Sequence, residues 1–367
     1  MALEPKRIYV SDVHMGAGRS LNKKKGYVYD WLGEKEAKVF ANFLDYLNKQ
    51  ADVGEVILLG DTMDNWVCPI DEVPPTFDEI LNAKHNQTIV ESLRKLTENK
   101  KVIYMPGNHD MQVTPDLLQQ KKYYPKIVFG GSAMNKSRYR TSRLLAEHGS
   151  SYAMFNAPDP INNPGNRLPL GYFISRVAAT KAARTGDARR HFWTFIDDLL
   201  ELLGPQKLPQ SIFEAILEEA TLREDCEIVM GTKDGNPEGE RITIKASAVK
   251  EKYSDLYEQW QSHYGKGMAF KSVMAEIGYL GDLADHLSKK GDTNIIIFGH
   301  SHDSELDKDS WFVKDRIYAN CGSWCDEDKP CSFVETQKDD EKRMHYVRLM
   351  EWKKGAVKKL GEERVAL

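Results

Sequence analysis

The chain has 367 residues, 41% hydrophobic and 29% charged, with a formal net charge of −4. That length suits one large domain or a core domain carrying a sizeable insertion, and the composition is that of an ordinary globular protein. The charge gives no global pull toward nucleic acid or an anionic membrane. Apolar runs such as Val56–Leu59 and Ile295–Phe298 fall far short of the roughly 20 residues a membrane-spanning helix needs.

Only Met1–Arg7 precede the first apparent strand, with no apolar stretch of the kind found in a secretory signal. Five cysteines make an odd, sparse set, which favours a reducing compartment, so a cytoplasmic location is expected. "KRIYVSDVH" (6–14) predicts a buried strand running into a polar loop. Residues 34–50 have helical periodicity, with Val39, Phe43 and Leu47 on one face. "EVILLGD" (55–61) predicts a second strand, residues 78–100 a second helix, and "KVIYMPGNHD" (101–110) a third strand. Apolar strands alternating with amphipathic helices predict an α/β layered core. In such sheets polar chemistry collects beyond the carboxyl ends of the strands.

The character changes over residues 158–290, which predict an inserted, mostly helical cap, leaving 1–157 and 291–367 as the core. Two short β-like pieces, "EIVMG" and "RITIK", flank a turn-rich stretch within it. Strands resume at "TNIIIFGHSH" (293–302) and "WFVKDRIYANCGSW", and a hairpin is expected around "KDDEK". The charged tail "KKGAVKKLGEERVAL" is expected to be loosely ordered. Cys321, Cys325 and Cys331 are spaced C-x3-C-x5-C. That spacing lacks the second ligand pair of a zinc site and is read as free thiols.

Polar residues that end the buried strands form a set. They are Asp12 and His14, Asp61 and Asp64, Asn108 and His109, His148, and His300 and His302. Leaving Asp64 and His109 aside, two Asp, one Asn and four His would converge from five segment ends. Mixed oxygen and imidazole donors suit Mn, Fe, Zn, Co or Ni better than Ca or Mg. Seven ligands are too many for one ion and suit two divalent ions sharing a bridging carboxylate. Residues two apart, as in Asp12-x-His14 and His300-x-His302, point the same way off an extended backbone. The glycines in these blocks are expected to allow tight or positive-φ turns. A single D-x-H or H-x-H is more often a turn or a surface pair, but so many such blocks after apolar runs are not a chance pattern.

The ordered blocks D-x-H, GD-x-x-D, GNHD, HG and GH-x-H resemble the calcineurin-like metallophosphoesterase superfamily over residues ~6–150 and ~293–335. The resemblance implies a four-layer αββα sandwich of two mixed sheets, with the helical cap inserted. It implies Asp12, His14 and His302 on one metal, Asn108, His148 and His300 on the other, and Asp61 as the bridge. His109 would lie beside the scissile phosphate as proton donor or charge stabiliser, paired with Asp64. The implied reaction is hydrolysis of a phosphodiester or pyrophosphate by a metal-bridging hydroxide.

"GDTMDNW" and "NCGSW" further resemble blocks of bacterial UDP-diacylglucosamine pyrophosphohydrolase-like proteins, which also carry a helical cap. This chain departs from them at His109, where they usually carry Arg, and at Ser150, where they read H-G-D. The expected substrate is therefore a small or lipid-linked phosphoester. A run of cations in the cap includes Arg176, Lys181, Arg184, Arg189 and Arg190. Arg184, Arg189 and Arg190 are candidate phosphate clamps, with a solvated helix face as the plainer reading. Trp66 is a candidate substrate contact. Tyr172 and Phe173 belong either to a pocket or to the cap's own core. Competing readings are a phosphomonoesterase, a nuclease, and a scaffold that kept the metal-binding fold without catalysis. The acidic balance counts against the nuclease. The filled motif positions count against the scaffold.

Overall fold

The computed structural model describes residues 3–21, 29–130, 138–158, 168–185, 207–288, 293–309 and 315–367. The strands are β1 (Lys6–Val10), β2 (Val53–Leu59), β3 (Lys101–Met105), β4 (Val128–Phe129), β5 (Tyr139–Thr141), β6 (Leu144–Ala146), β7 (Glu227–Thr232), β8 (Arg241–Lys245), β9 (Ile295–Phe298), β10 (Ser304–Asp309), β11 (Arg316–Cys321), β12 (Ser332–Asp339), β13 (Met344–Lys353) and β14 (Ala356–Ala366). Seven of them form a mixed sheet in the order β14-β13-β12-β1-β2-β3-β4, and five a second mixed sheet, β10-β11-β9-β6-β5. β7 and β8 pair as a separate hairpin.

Alternation along the central strands builds the layers. Ile8, Val10, Val56, Leu58, Val102 and Tyr104 face a core with Phe40, Phe43, Leu44, Ile89, Leu93 and Leu96 from helices Glu34–Lys49 and Gln87–Asn99. Their neighbours Tyr9, Ile57, Leu59, Ile103 and Met105 face the other way, onto Leu144, Ala146, Ile295, Ile297, Ile317 and Ala319 of the second sheet. Ile296 and Phe298 turn outward onto Leu283 and Ala284 of helix Gly281–Ser288. Helix, sheet, sheet and helix are the four layers of an αββα sandwich. Each fully buried Leu, Ile or Phe in them contributes about 1.5–3 kcal/mol.

Between β6 and β9 the described chain is helical apart from the β7–β8 hairpin, with helices Leu170–Thr185, Leu208–Glu219, Ala246–Tyr253, Leu256–Tyr264 and Lys266–Met274. Their apolar faces share a core with Trp66 and Ile70 from the loop after β2, and with Met111, Met154 and Phe155. Tyr172 and Phe173 are buried in that core.

Two sequence expectations are corrected. The predicted helix over 78–100 is broken into Phe77–Asn82, a 3-10 turn Lys84–Asn86, and Gln87–Asn99. Ala83 is extended at the break, and the buried Asn86 side chain donates to the carbonyls of Gly16 and Ile80, both 2.9 Å away. The tail is ordered as β14, hydrogen-bonded along the whole of β13. Its order comes from backbone pairing, which needs no apolar side chains. Its Lys and Glu residues protect the outer edge of the sheet from further pairing.

Candidate metal centre

β1, β2 and β3 run parallel, as do β6 and β9. The loops leaving their carboxyl ends deliver Asp12 and His14, Asp61 and Asp64, Asn108 and His109, His148, and His300 and His302. These loops do not continue the strands. Asp12 (φ 56°), His14 (51°), Asp61 (49°), His300 (71°) and His302 (60°) all lie in the left-handed region. The D-x-H and H-x-H pairs therefore meet through left-handed turns, which replaces the extended geometry expected from their spacing. Each such residue costs on the order of 1–3 kcal/mol and persists only where its surroundings hold it. Here the first two loops are zipped together. Val13 and His14 donate their backbone N–H to Asp61 O at 3.0 and 2.9 Å, and Met15 donates to Thr62 O at 3.0 Å. Gly107 and Gly299 serve close approach and do not adopt positive φ. A Cβ on the first would lie 2.2 Å from Asp61 Oδ1, and on the second 2.6 Å from Asp12 Oδ2.

The donor atoms point inward. Asp61 Oδ2 lies 3.1 Å from His148 Nε2 and 3.8 Å from His14 Nε2. Asn108 Oδ1 is 3.1 Å from His148 Nε2, and His148 Nδ1 donates to Leu59 O at 3.0 Å. Asp12 Oδ1 is buried without a hydrogen-bond partner. Around it stand His302 Nε2 at 3.5 Å, His14 Nε2 at 3.8 Å and His148 Nε2 at 3.9 Å. Asp61, His148 and His300 form one group with donor atoms within 4.8 Å of each other, and Asp12, His14 and Asp61 form another.

Electrostatics agree with this geometry. Burial raises carboxyl pKa values, yet the charges of His148, His14 and His302 hold Asp12 well below the usual range. Against the same burial, His148 and His109 bring Asp61 down to about 2. The rings respond in kind. Burial opposes charge on His14, but Asp12, Asp64 and Asp61 push it up to about 10. Asp61 and Asp12 likewise push His148 up to about 9. Burial and the neighbouring His148 press His300 down to about 3. Three buried carboxylates thus draw positive charge into the pocket. An unpartnered oxygen ringed by imidazole nitrogens at 3.5–3.9 Å fits donors that each reach a shared cation at about 2.0–2.2 Å. The residues present therefore fit divalent metal ions.

His109 and Asp64 sit at the edge of this group. Asp64 Oδ2 is 3.0 Å from His14 Nδ1, and its Oδ1 accepts from the backbone N–H of Trp66 and Val67 at 2.9 and 3.1 Å. His109 Nδ1 is also 3.1 Å from Asp64 Oδ1, at an angle outside a hydrogen bond. The His109 ring packs on buried Trp66 at 4.4 Å and stands edge-on to His14 at 4.7 Å. Trp66 in turn meets Tyr172 edge-on at 5.8 Å. The hydrogen bonds of Asp110 go to the loops and strand, not to the candidate donors. Asp110 accepts from the backbone N–H of Thr62, Met63 and Gly107 and from the Tyr104 hydroxyl, tying the second loop to the third.

Among the described residues, the predicted cation run is not gathered at this site. Arg176 is buried and donates to the carbonyls of Cys68, Pro69, Glu72 and Val229 and to the Tyr172 hydroxyl. Lys181 pairs with Glu219. Arg184 is exposed and close to Cys226, and none of its described contacts joins it to the cluster. Arg189 and Arg190 lie outside the described residues.

Three neighbours escaped the sequence reading. Trp31 stacks on His14 at 4.5 Å, Asp326 lies 3.0 Å from His302 Nδ1, and Asn156 accepts from Asn108 Nδ2 at 3.2 Å. None stands in a block whose spacing marks it. Cys325, which the C-x3-C-x5-C spacing marks and which is expected to be a plain free thiol, lies within reach of the His14 and His302 donors. The "NCGSW" block does connect to the site: Asn320 Nδ2 donates to Gly299 O at 2.8 Å, and Trp324 N–H to Asp12 O at 3.0 Å. Trp324 itself packs against Phe40 and Phe43 in the core.

Among solved structures, the chain resembles vacuolar protein sorting 29 from Cryptosporidium parvum, at 10% identity and a TM-score of 0.33 over 100% of both chains. It also resembles GAP50 of Plasmodium, at 12% identity and a TM-score of 0.39, covering 100% of this chain and 90% of that one. A predicted phosphoesterase from Streptococcus pneumoniae gives 12% identity and a TM-score of 0.30 over 99% of each chain. At these scores the likenesses add nothing to the argument. No curated protein matches. A family model described as calcineurin-like phosphoesterase matches residues 6–304. With most of its length inside that match and a buried His/Asp cluster at the strand ends, the chain belongs to the calcineurin-like phosphoesterase family.

Proposed function

We propose that the chain hydrolyses a phosphodiester or pyrophosphate bond, with Asp12, His14 and His302 holding one divalent cation, Asn108, His148 and His300 a second, and Asp61 both. Family membership already makes it a metal-dependent phosphoesterase using two divalent ions. The observation that carries the residue assignment is the place of Asp61. Its Oδ2 stands between His148 Nε2 and His14 Nε2 at 3.1 and 3.8 Å, as a shared ligand would. When bound, such ions bring the pKa of a coordinated water toward neutrality and offset phosphoryl charge.

The chain's own residues supply the rest. His109 donates a proton to the leaving oxygen, with Asp64 beside its Nδ1 and Trp66 fixing its ring. Supporting this are the 3.1 Å approach of Asp64 to His109 Nδ1 and the 4.4 Å packing on Trp66. We read residues 158–290 as a cap that limits which substrates reach the centre. A lipid-linked pyrophosphate is the reading that "GDTMDNW" and "NCGSW" suggest. Yet Trp66 and Trp324 both have packing roles, so those blocks do not by themselves require a lipid. A screen of phosphomonoesters, cyclic nucleotides, dinucleotides and UDP-sugars, with added Mn, Zn, Co or Ni salts, tests the proposal. Turnover of diesters or pyrophosphates is expected, and turnover of monoesters alone would reject the bond class.

A further inference from the structure

Asn108 can serve a cation only through its carbonyl oxygen, yet the two ends of an amide are nearly equal in size and shape. Packing alone does not choose between them; hydrogen bonds must. Asn108 Nδ2 donates to Asn156 Oδ1 at 3.2 Å, which leaves Asn108 Oδ1 on the side of His148 Nε2. Asn156 is itself an amide with the same ambiguity. Its Nδ2 donates to Glu276 Oε2 at 2.6 Å, and Glu276 Oε1 accepts from the Phe155 backbone N–H.

We propose that Glu276 is a positioning residue that sets the polarity of this two-amide relay and so aims the Asn108 oxygen at the metal centre. The proposal rests on reading Asn108 as a ligand. A carboxylate only accepts, so it is the one member of the relay with a single possible role. It fixes Asn156 with the amide nitrogen toward Glu276 and the oxygen toward Asn108. Asn108 is fixed in turn, nitrogen toward Asn156 and oxygen inward.

The relay has little room to rearrange. Asn108 is 1% and Asn156 8% exposed. Gly171, in the first turn of helix Leu170–Thr185, packs tightly on Asn156, where a Cβ would lie 2.4 Å from Asn156 Oδ1. Glu276 belongs to the turn Ala275–Ile277, 120 residues further along the chain than Asn156 and within the mostly helical stretch between β6 and β9. The orientation of one predicted ligand is thus set by a side chain from that stretch.

Glu276→Gln makes the relay reversible. The amide introduced there could donate to Asn156, turning Asn156 and then Asn108 around so that an N–H₂ group faces the cation. Adding Asn156→Asp moves the carboxylate one step inward and restores direction, because it accepts both from the introduced amide and from Asn108. The test is calorimetric titration of metal-free protein with Mn²⁺, at a pH well above the value of about 7 to which burial pushes Glu276. Wild type is expected to bind two ions. Glu276→Gln should weaken one of them about 10–100-fold, and Glu276→Gln with Asn156→Asp should recover most of that loss. A role confined to holding the fold together predicts no such recovery. Two wild-type sites with Glu276→Gln binding both as tightly, or a double variant no better than the single one, overturns the inference alone. Fewer than two ions on wild type overturns the metal assignment along with it.

Discussion

The Nε2 atoms of His14 and His302 face each other at 3.1 Å, while the Nδ1 atom of each ring rests 3.0 Å from a carboxylate, Asp64 and Asp326 respectively. A carboxylate accepts and does not donate, so in the neutral rings both Nδ1 atoms carry the proton and both Nε2 lone pairs meet. Two lone pairs at that distance repel unless a proton on His14, whose ring its carboxylate neighbours push up to about 10, or a metal ion lies between them.

Asp326 therefore orients a proposed ligand from outside, with the Ser323 hydroxyl donating to its Oδ2 at 2.8 Å. Asp326→Ala should weaken binding at one metal site about 10–100-fold. Calorimetry on the metal-free protein reads this directly, and equal affinity for the variant would remove the orienting role.

Asp61 is expected to be less replaceable. It stands between both groups of donors, and its Oδ1 also accepts the His109 backbone N–H at 2.8 Å. Asp61→Ala should abolish metal-dependent hydrolysis of an aryl phosphodiester and reduce metal content measured by elemental analysis. Full retained activity would rule out the bridging assignment.

Strand ends were legible because they combine two signals, an apolar run and a metal-type donor just past it. Asp12, Asp61, Asn108, His148 and His300 all carry both. The backbone that joins them was not legible, since the left-handed turns at Asp12 and His14 come from hydrogen bonds to a second loop nearly 50 residues away. Asp326 and Glu276 were missed for a related reason. Asp326 touches the proposed ligand His302 and Glu276 touches Asn156, each through a contact distant in sequence, and a single carboxylate in a polar stretch has no period or spacing to mark it. β14 was misjudged because its order resides in main-chain pairing, which side-chain character does not report.

His109 should separate from the ligands in mutagenesis. Its ring is held by Trp66 and faces Asp64. His109→Ala is expected to slow turnover by roughly 10²–10⁴-fold with metal content unchanged. Loss of metal in this variant would make His109 a ligand instead of a proton donor.

Arg176 belongs to the cap's cation run in sequence and serves as a structural tie in the fold. Its guanidinium fills four buried or half-buried carbonyls, those of Cys68, Pro69, Glu72 and Val229, at 2.7–2.8 Å. Removing it strands those acceptors, at about 1–3 kcal/mol for each that finds no water. Arg176→Met should therefore lower the urea midpoint by the equivalent of at least about 3 kcal/mol. A variant as stable as wild type but with raised KM would return Arg176 to the substrate.

His345 should make part of the fold acid-sensitive, independently of the metal centre. It lies on β13, 2% exposed, with Nε2 lacking a hydrogen-bond partner. Burial, helped by the charges of Lys338 and Arg7, holds its pKa down to about 4 from an ordinary 6.5. The folded form thus resists a proton that the unfolded chain accepts. As pH falls from 6.5 toward about 4, the unfolded state gains up to about 1.4 kcal/mol per pH unit from this group. Above 6.5 both states are neutral and the contribution is flat. His345→Leu removes the proton site, so its urea midpoint should decline less steeply than wild type within that window and run parallel above it. Parallel curves throughout would mean that His345 is charged in the folded protein.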